Sequence, residues 1–141
     1  MANVIIFTNE NGGVSVCVPT GEMDINAVKA KDTPSHSIIV DDSTLPQADN
    51  DYFNAWELTG DTVTVNMTKA IALQTDNLNS IAKAEVSHRT TNAGIGIANK
   101  MADADWLALL ATARTAIAAA TTTAALRAAL EPVQAAITAN A

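Results

Sequence analysis

Aromatic side chains are scarce in this sequence, at 4% of 141 residues. Because Phe, Tyr and Trp supply much of the buried area of an ordinary core, the interior has to be built around few large anchors. Cysteine occurs once, at Cys17, which excludes an intrachain disulfide. His36 and His88 lie far apart with no second Cys or His near either, so no zinc-ligand spacing is present. An excess of basic residues is missing as well. The net charge is −7 and the isoelectric point near 4.5, whereas a duplex-binding protein needs a basic face to displace counterions from phosphates, so no nucleic acid partner is expected. No stretch approaches the roughly 18 apolar residues of a membrane span, and the start, Met1 to Phe7, lacks the basic head and apolar run of a signal peptide. The expectation is a protein made and folded in the cytosol, with no membrane partner. A paired nucleophile and base, a ligand cluster and a phosphate loop are all missing from the pattern, so no catalytic residue, metal or cofactor is assigned and no enzymatic activity is expected.

What is present divides into two halves. Apolar residues make up 48% of the chain, many of them alanine. Up to Asn66 ten acids face only Lys29 and Lys31, a balance of −8, while the remainder carries six bases and five acids and stands at +1. Val4 to Thr8 and Val14 to Val18 are β-branched runs joined by Asn9-Glu-Asn-Gly-Gly13, the signature of a hairpin. A short helix is predicted over Gly21–Lys31, after a possible cap at Thr20 and before Thr33-Pro34, where proline disfavours helix in the preceding residue. Ser37–Asp41 reads as a strand, and Ala55–Leu58 with Thr62–Val65 as a second hairpin across Thr59-Gly-Asp61.

From Asn66, a predicted N-cap, the spacing becomes helical. Met67, Ile71, Gln74, Leu78, Ile81, Ala82 and Val86 fall on one arc, predicting a long helix over about 67–89. Thr90 to Gly96 should break it, because two glycines, an Asn and two threonines lower helix propensity together. Asp103 can cap a helix over about 103–120, and a last helix over about 123–138 contains Pro132, which must kink or divide it. The predicted fold is α+β, with a small β-hairpin-rich head (residues 1–66) followed by a helical hairpin or bundle (residues 67–141).

Candidate sites are few. Trp106, Leu110, Ala113, Ile117 and Ala120 form a stripe with alternating four- and three-residue steps, repeated by Leu126, Leu130, Val133 and Ile137. Alanine-rich helices bury little area, and small seams often gain stability by packing on another chain. Trp106, Leu110, Ile117, Leu126, Leu130, Val133 and Ile137 are therefore the candidate partner-binding residues, for another protein or a second copy. An alternative is a surface-binding head for carbohydrate or a cation, built from Trp56, Tyr52 and the acids Asp41, Asp42, Asp49 and Asp51, although their spacing fits no calcium loop and suits an acidic, proline-flanked surface loop better. Cys17 alternates with Val16 and Val18 and reads as a structural thiol; His36 and His88 suit a loop and a helix C-terminal turn. The sequon Asn66-Met-Thr68 is better read as a helix cap, and Gly94-Ile-Gly-Ile-Ala98 as a flexible elbow.

Three segments also carry a resemblance: Val4-Ile-Ile-Phe-Thr-Asn9 with Gly12-Gly-Val-Ser-Val16, Ile38-Ile-Val-Asp-Asp42 with Leu45-Pro46, and Phe53-Asn-Ala-Trp-Glu-Leu58 with Val63-Thr-Val-Asn-Met-Thr-Lys-Ala70. Together they resemble small proteins of phage tail gene clusters, and in plan tail-fibre assembly proteins, with a β-rich head followed by helices. The Thr-rich turn and short helix of Thr121-Thr-Thr-Ala-Ala-Leu-Arg-Ala-Ala-Leu130 resemble the close of such chains. The resemblance implies a tail or tail-fibre structural or assembly protein, acting in the host cytoplasm or the virion tail, with a tail protein or itself as partner. It brings no catalytic motif.

Overall fold

The computed structural model describes residues 2–140. The fold is α+β, with small antiparallel sheets at the N-terminus and helices after them. The chain forms two compact units that divide between Ala70 and Ile71.

In the first unit β1 (Asn3–Thr8) and β2 (Val14–Cys17) pair antiparallel, with Ile6 opposite Val16 and Thr8 opposite Val14. The turn between them is held by Asn9, whose side-chain oxygen accepts from the backbone N–H of Asn11 at 3.0 Å and of Gly13 at 3.1 Å. Gly12 sits at φ +80°, a conformation only glycine adopts without strain. α1 (Ile25–Asp32) starts later than the Gly21–Lys31 expectation, because the capping oxygen belongs to Asp24, which accepts from the Asn26 N–H at 3.1 Å, and not to Thr20. It ends at Thr33, as the following proline requires. β3 (Ile38–Asp41) then pairs antiparallel with β1, giving the sheet order β2-β1-β3.

The 42–55 segment is not an irregular loop. It consists of short 3-10 turns, one over Asp42–Thr44 and a run over Gln47–Ala55 that is interrupted at Asp49 and Tyr52, leading into the hairpin β4 (Trp56–Thr59) and β5 (Thr62–Val65), which forms a separate two-stranded sheet. Val4, Ile6 and Val14 pack with Trp56 and Val63, and Leu45, Phe53, Leu58 and Val65 close around them. Successive side chains of a strand point to opposite faces, so Ile5, fully buried, lies on the other side of β1, the strand against which α1 with its buried Val28 packs.

α2 (Met67–Gly94) starts where the sequence predicts, with the Asn66 side chain accepting from the Lys69 N–H at 3.0 Å. It runs five residues past the predicted end. The Thr90 and Thr91 hydroxyls bond the carbonyls of Val86 and Ser87 within the helix, so these residues continue it instead of breaking it. α3 (Asp103–Ala119) is capped by the backbone of Ala102, while Asp103 is its first residue and, with Asp105, complements the helix dipole from the first turn. α4 (Thr123–Asn140) is one continuous helix through Pro132, so the division foreseen at that residue does not occur.

The second unit's interior is the α3–α4 seam, Trp106, Leu110, Ala113 and Ile117 against Leu126, Ala129, Leu130 and Val133, all buried. Leu78 of α2 is fully buried too, and the Gln74 side-chain amide, itself buried, donates to the Leu126 carbonyl at 2.9 Å. Arg114 of α3 donates to Asn79 of α2 at 2.7 Å.

Candidate functional site

The inward stripe of α2 does not stay apolar. Gln74, Leu78, Glu85, Arg89 and Asn92 are buried while Val86, expected on the inner arc, is 61% exposed. Those steps keep the 3.6-residue period, so the far end of α2 turns a polar face inward.

Arg89 organises that end. Its Nη1 donates to the Met101 carbonyl at 2.7 Å and to the Asp103 carboxylate at 2.8 Å. Its Nε lies 3.1 Å from the Glu85 carboxylate, one turn back on α2, in a close ion pair whose geometry falls short of an aligned hydrogen bond. The guanidinium carbon stands 5.6 Å from the centre of the Trp106 ring, within cation–π range. Nη2 is buried and has no hydrogen-bond partner among the described residues. A buried charge is tolerable only when paired, and here two carboxylates and a ring face share one guanidinium.

Asn92 holds the connection between α2 and α3. Its carbonyl accepts from the Ile97 N–H at 2.8 Å, and its side-chain amide donates to Asn99 at 2.7 Å. Lys100 donates to the Ala139 carbonyl of α4 at 2.8 Å. The 95–102 connection is therefore tied at Ile97, Asn99, Lys100 and Met101, and the elbow read from the sequence as flexible is a shaped loop. Its two isoleucines are left largely in solvent, Ile95 at 65% and Ile97 at 54% exposed. Beside them, α2 and α3 form an open concavity of about 470 Å³, walled by Val86, Ala93, Trp106 and Leu107 with Thr90 and Asp103 at its polar side. Leu107 is 63% exposed. Among the described residues, Val86, Ile95, Ile97 and Leu107 are four of the six large apolar side chains left exposed, the others being Val18 and Met23.

Of the candidate partner-binding residues only Trp106 reaches this concavity, as part of its wall. Trp106, Leu110, Ile117, Leu126, Leu130 and Val133 are buried inside the unit and Ile137 is half-buried. The seven are brought together, but against each other: the four-and-three spacing that marks a seam is satisfied within the chain, by α3 on α4, and does not form an outer surface. Charge placed at Leu110 or Leu130 would disrupt the interior before it reached a partner.

The alternative carbohydrate or cation site is not assembled either. Trp56 is buried, meets the Phe53 ring at 4.8 Å between centres and a tilt of 60°, and donates its indole N–H to the Asp49 carbonyl at 3.2 Å. Tyr52 is 2% exposed, so neither ring offers a face to a sugar. Asp41 accepts from the Ser43 N–H at 2.9 Å, and that bond holds its carboxyl below the usual aspartate range. No cluster of three His, Cys, Asp or Glu side chains able to hold a metal occurs among the described residues. Cys17 is a half-buried free thiol, and His36 packs edge-on to Phe7 with its Nε2 3.2 Å from the Thr8 carbonyl.

Sequence reasoning missed Glu85, Arg89 and Asn92 because the α2 stripe was closed on the apolar Val86 instead of being carried on in phase to charged residues. The signal was available: a Glu-Arg pair four residues apart that continues the phase of Gln74 and Leu78. No helix among the described residues is long and apolar enough to cross a membrane. Comparison with protein-family models, curated proteins and solved structures finds no match to this chain.

Proposed function

We propose that the chain is a non-enzymatic component of a phage tail gene cluster, a tail or tail-fibre structural or assembly protein that binds tail proteins, itself or another, through its helical unit. The three N-terminal segments and the Thr-rich turn described above support the tail assignment by resemblance, and with it a place of action in the host cytoplasm during assembly or in the virion tail. The binding side of the reading is carried by one observation: Val86, Ile95, Ile97 and Leu107 are exposed together at the α2–α3 elbow, around a concavity and on a loop tied from behind. Scattered single apolar residues need no explanation, but a cluster on a held loop marks an interaction surface.

The test is co-expression of a tagged chain with an untagged copy and with the products of adjacent tail genes, followed by affinity capture. The wild type is expected to retain a tail-cluster product, and Ile97→Asp/Leu107→Asp to lose it with the helical circular dichroism unchanged. Retention insensitive to that pair removes the elbow as the contact. Capture of no tail product removes the tail assignment.

A further inference from the structure

We infer that the protein occupying the elbow is a second copy of this chain, so that the elbow is a two-fold self-contact. This rests on the reading of the elbow as a protein-binding surface and names its partner.

Shape gives the first argument. Ile95 and Ile97 project from the loop and do not wall the concavity, whereas Val86, Trp106 and Leu107 do. A projection and a hollow of matching apolar chemistry thus sit side by side on one end of one unit. A two-fold axis between two such ends places each loop over the other's hollow, an isologous contact that closes on itself.

Charge gives the second. From Lys83 to Asp105 the chain carries three bases, Lys83, Arg89 and Lys100, and three acids, Glu85, Asp103 and Asp105. The whole second unit is balanced, with five of each sign, while the first holds ten acids and three lysines. Two copies meeting through their second units bring no net charge together, whereas a contact between first units opposes −7 to −7.

Area sets the strength. Four partly exposed aliphatic side chains amount to a patch on the order of 400 Å² per copy, about half the ~800 Å² per partner of a standard stable interface. The dimer is accordingly weak and concentration-dependent. Because the loop is held in place by Asn92 and Arg89 before association, little ordering is left to oppose it.

The experiment is the solution mass of the purified chain alone, by sedimentation equilibrium or light scattering, from about 1 μM to about 1 mM, the span over which a weak dimer forms. The mass is expected to rise from 14.6 kDa to twice that value. Ile95→Asp/Ile97→Asp, in side chains that are more than half exposed, is expected to hold it at the monomer value throughout, with an unchanged helical spectrum. Val18→Asp, at an exposed apolar residue of the first unit, is expected to leave the transition where it was. A second pair, Val86→Lys/Leu107→Lys, probes the hollow from the other side and is expected to abolish the rise as well. A chain that stays monomeric at every concentration overturns the inference, and so does a dimer indifferent to both elbow pairs. If the purified chain is monomeric while the elbow still captures a different tail product, the self-contact falls and the proposed function stands. A dimer that no elbow-dependent tail product joins leaves the inference standing and the tail assignment without support.

Discussion

Arg89 shows how much one side chain decides at the residue scale. It is buried, paired to Glu85 and Asp103, and lies over the Trp106 ring. Replacing it with methionine keeps the apolar stem but leaves the buried Glu85 carboxylate unpaired, so Arg89→Met is expected to cost about 3–5 kcal/mol of unfolding free energy. Glu85→Leu/Arg89→Met removes both charges and should recover most of that loss; urea unfolding of Glu85→Leu, Arg89→Met and the double variant gives the coupling energy, and a double variant no better than Arg89→Met would refute the account. Asp41 makes the opposite case of an exposed group. Its carboxyl is held below the ordinary aspartate value first by the Ser43 N–H. A depressed folded-state pKa contributes stability that is present above the unfolded value and is lost as pH falls through the folded one. Carboxyl NMR titration should therefore place the Asp41 midpoint below those of acids in unfolded peptides, and Ser43→Pro, which deletes the donor, should raise it.

Elements here are decided at their ends and by one proline. Asn66 starts α2, accepting from Lys69 while its amide donates to Glu57 at 3.1 Å, so Asn66→Ala is expected to lose about 1 kcal/mol by thermal unfolding. Pro132 sits on the exposed side of α4 inside an unbroken helix. Proline there removes one i to i−4 bond and crowds the preceding turn, a cost of about 3 kcal/mol in an ideal helix and less where packing holds the helix on both sides. Leu126, Leu130 and Val133 supply that packing. Pro132→Ala should raise the melting temperature, and a fall would mean that the ring fills space that alanine leaves empty, as its position beside Leu109, Ala129 and Ala113 allows. A change from Leu126 to alanine runs the other way, at about 2–5 kcal/mol lost, because a fully buried side chain leaves a cavity.

At the scale of the whole molecule the charge is segregated. The first unit carries −7 and the second is neutral. The self-contact inferred for the second unit would then be driven by apolar area and shape, and its strength should depend little on salt. Raising sodium chloride from about 50 mM to about 500 mM, which shortens the Debye length severalfold, is expected to change the self-association constant by less than about threefold. A steep salt dependence would point instead to paired charges across the contact.

The sequence by itself determined the class and order of the elements. Strand alternation, the Asn9 to Gly13 turn, the Asn66 cap and the helical spacing after it are local signals, set by backbone sterics and by which side chains water expels. They placed the β-rich first part, the helical second part and most of the helix bounds. Only the tertiary structure decided which faces meet. A seam of four-and-three spacing has the same pattern whether its partner is another protein or the next helix, and the chain's own α4 reached Trp106, Leu110 and Ile117 first. The acids and rings between Asp41 and Trp56 look like a surface site in one dimension, but burial of Tyr52 and Trp56 turned the rings inward. Conversely Ile95 and Ile97 look like filler in a glycine-flanked joint, and it took the ties of Asn92 to Ile97 and Asn99, of Arg89 to Met101 and of Lys100 to Ala139 to hold that joint in place and leave its isoleucines outside. Exposure is a property of the packed molecule, since every side chain competes with all others for the interior, and no local pattern records the outcome of that competition.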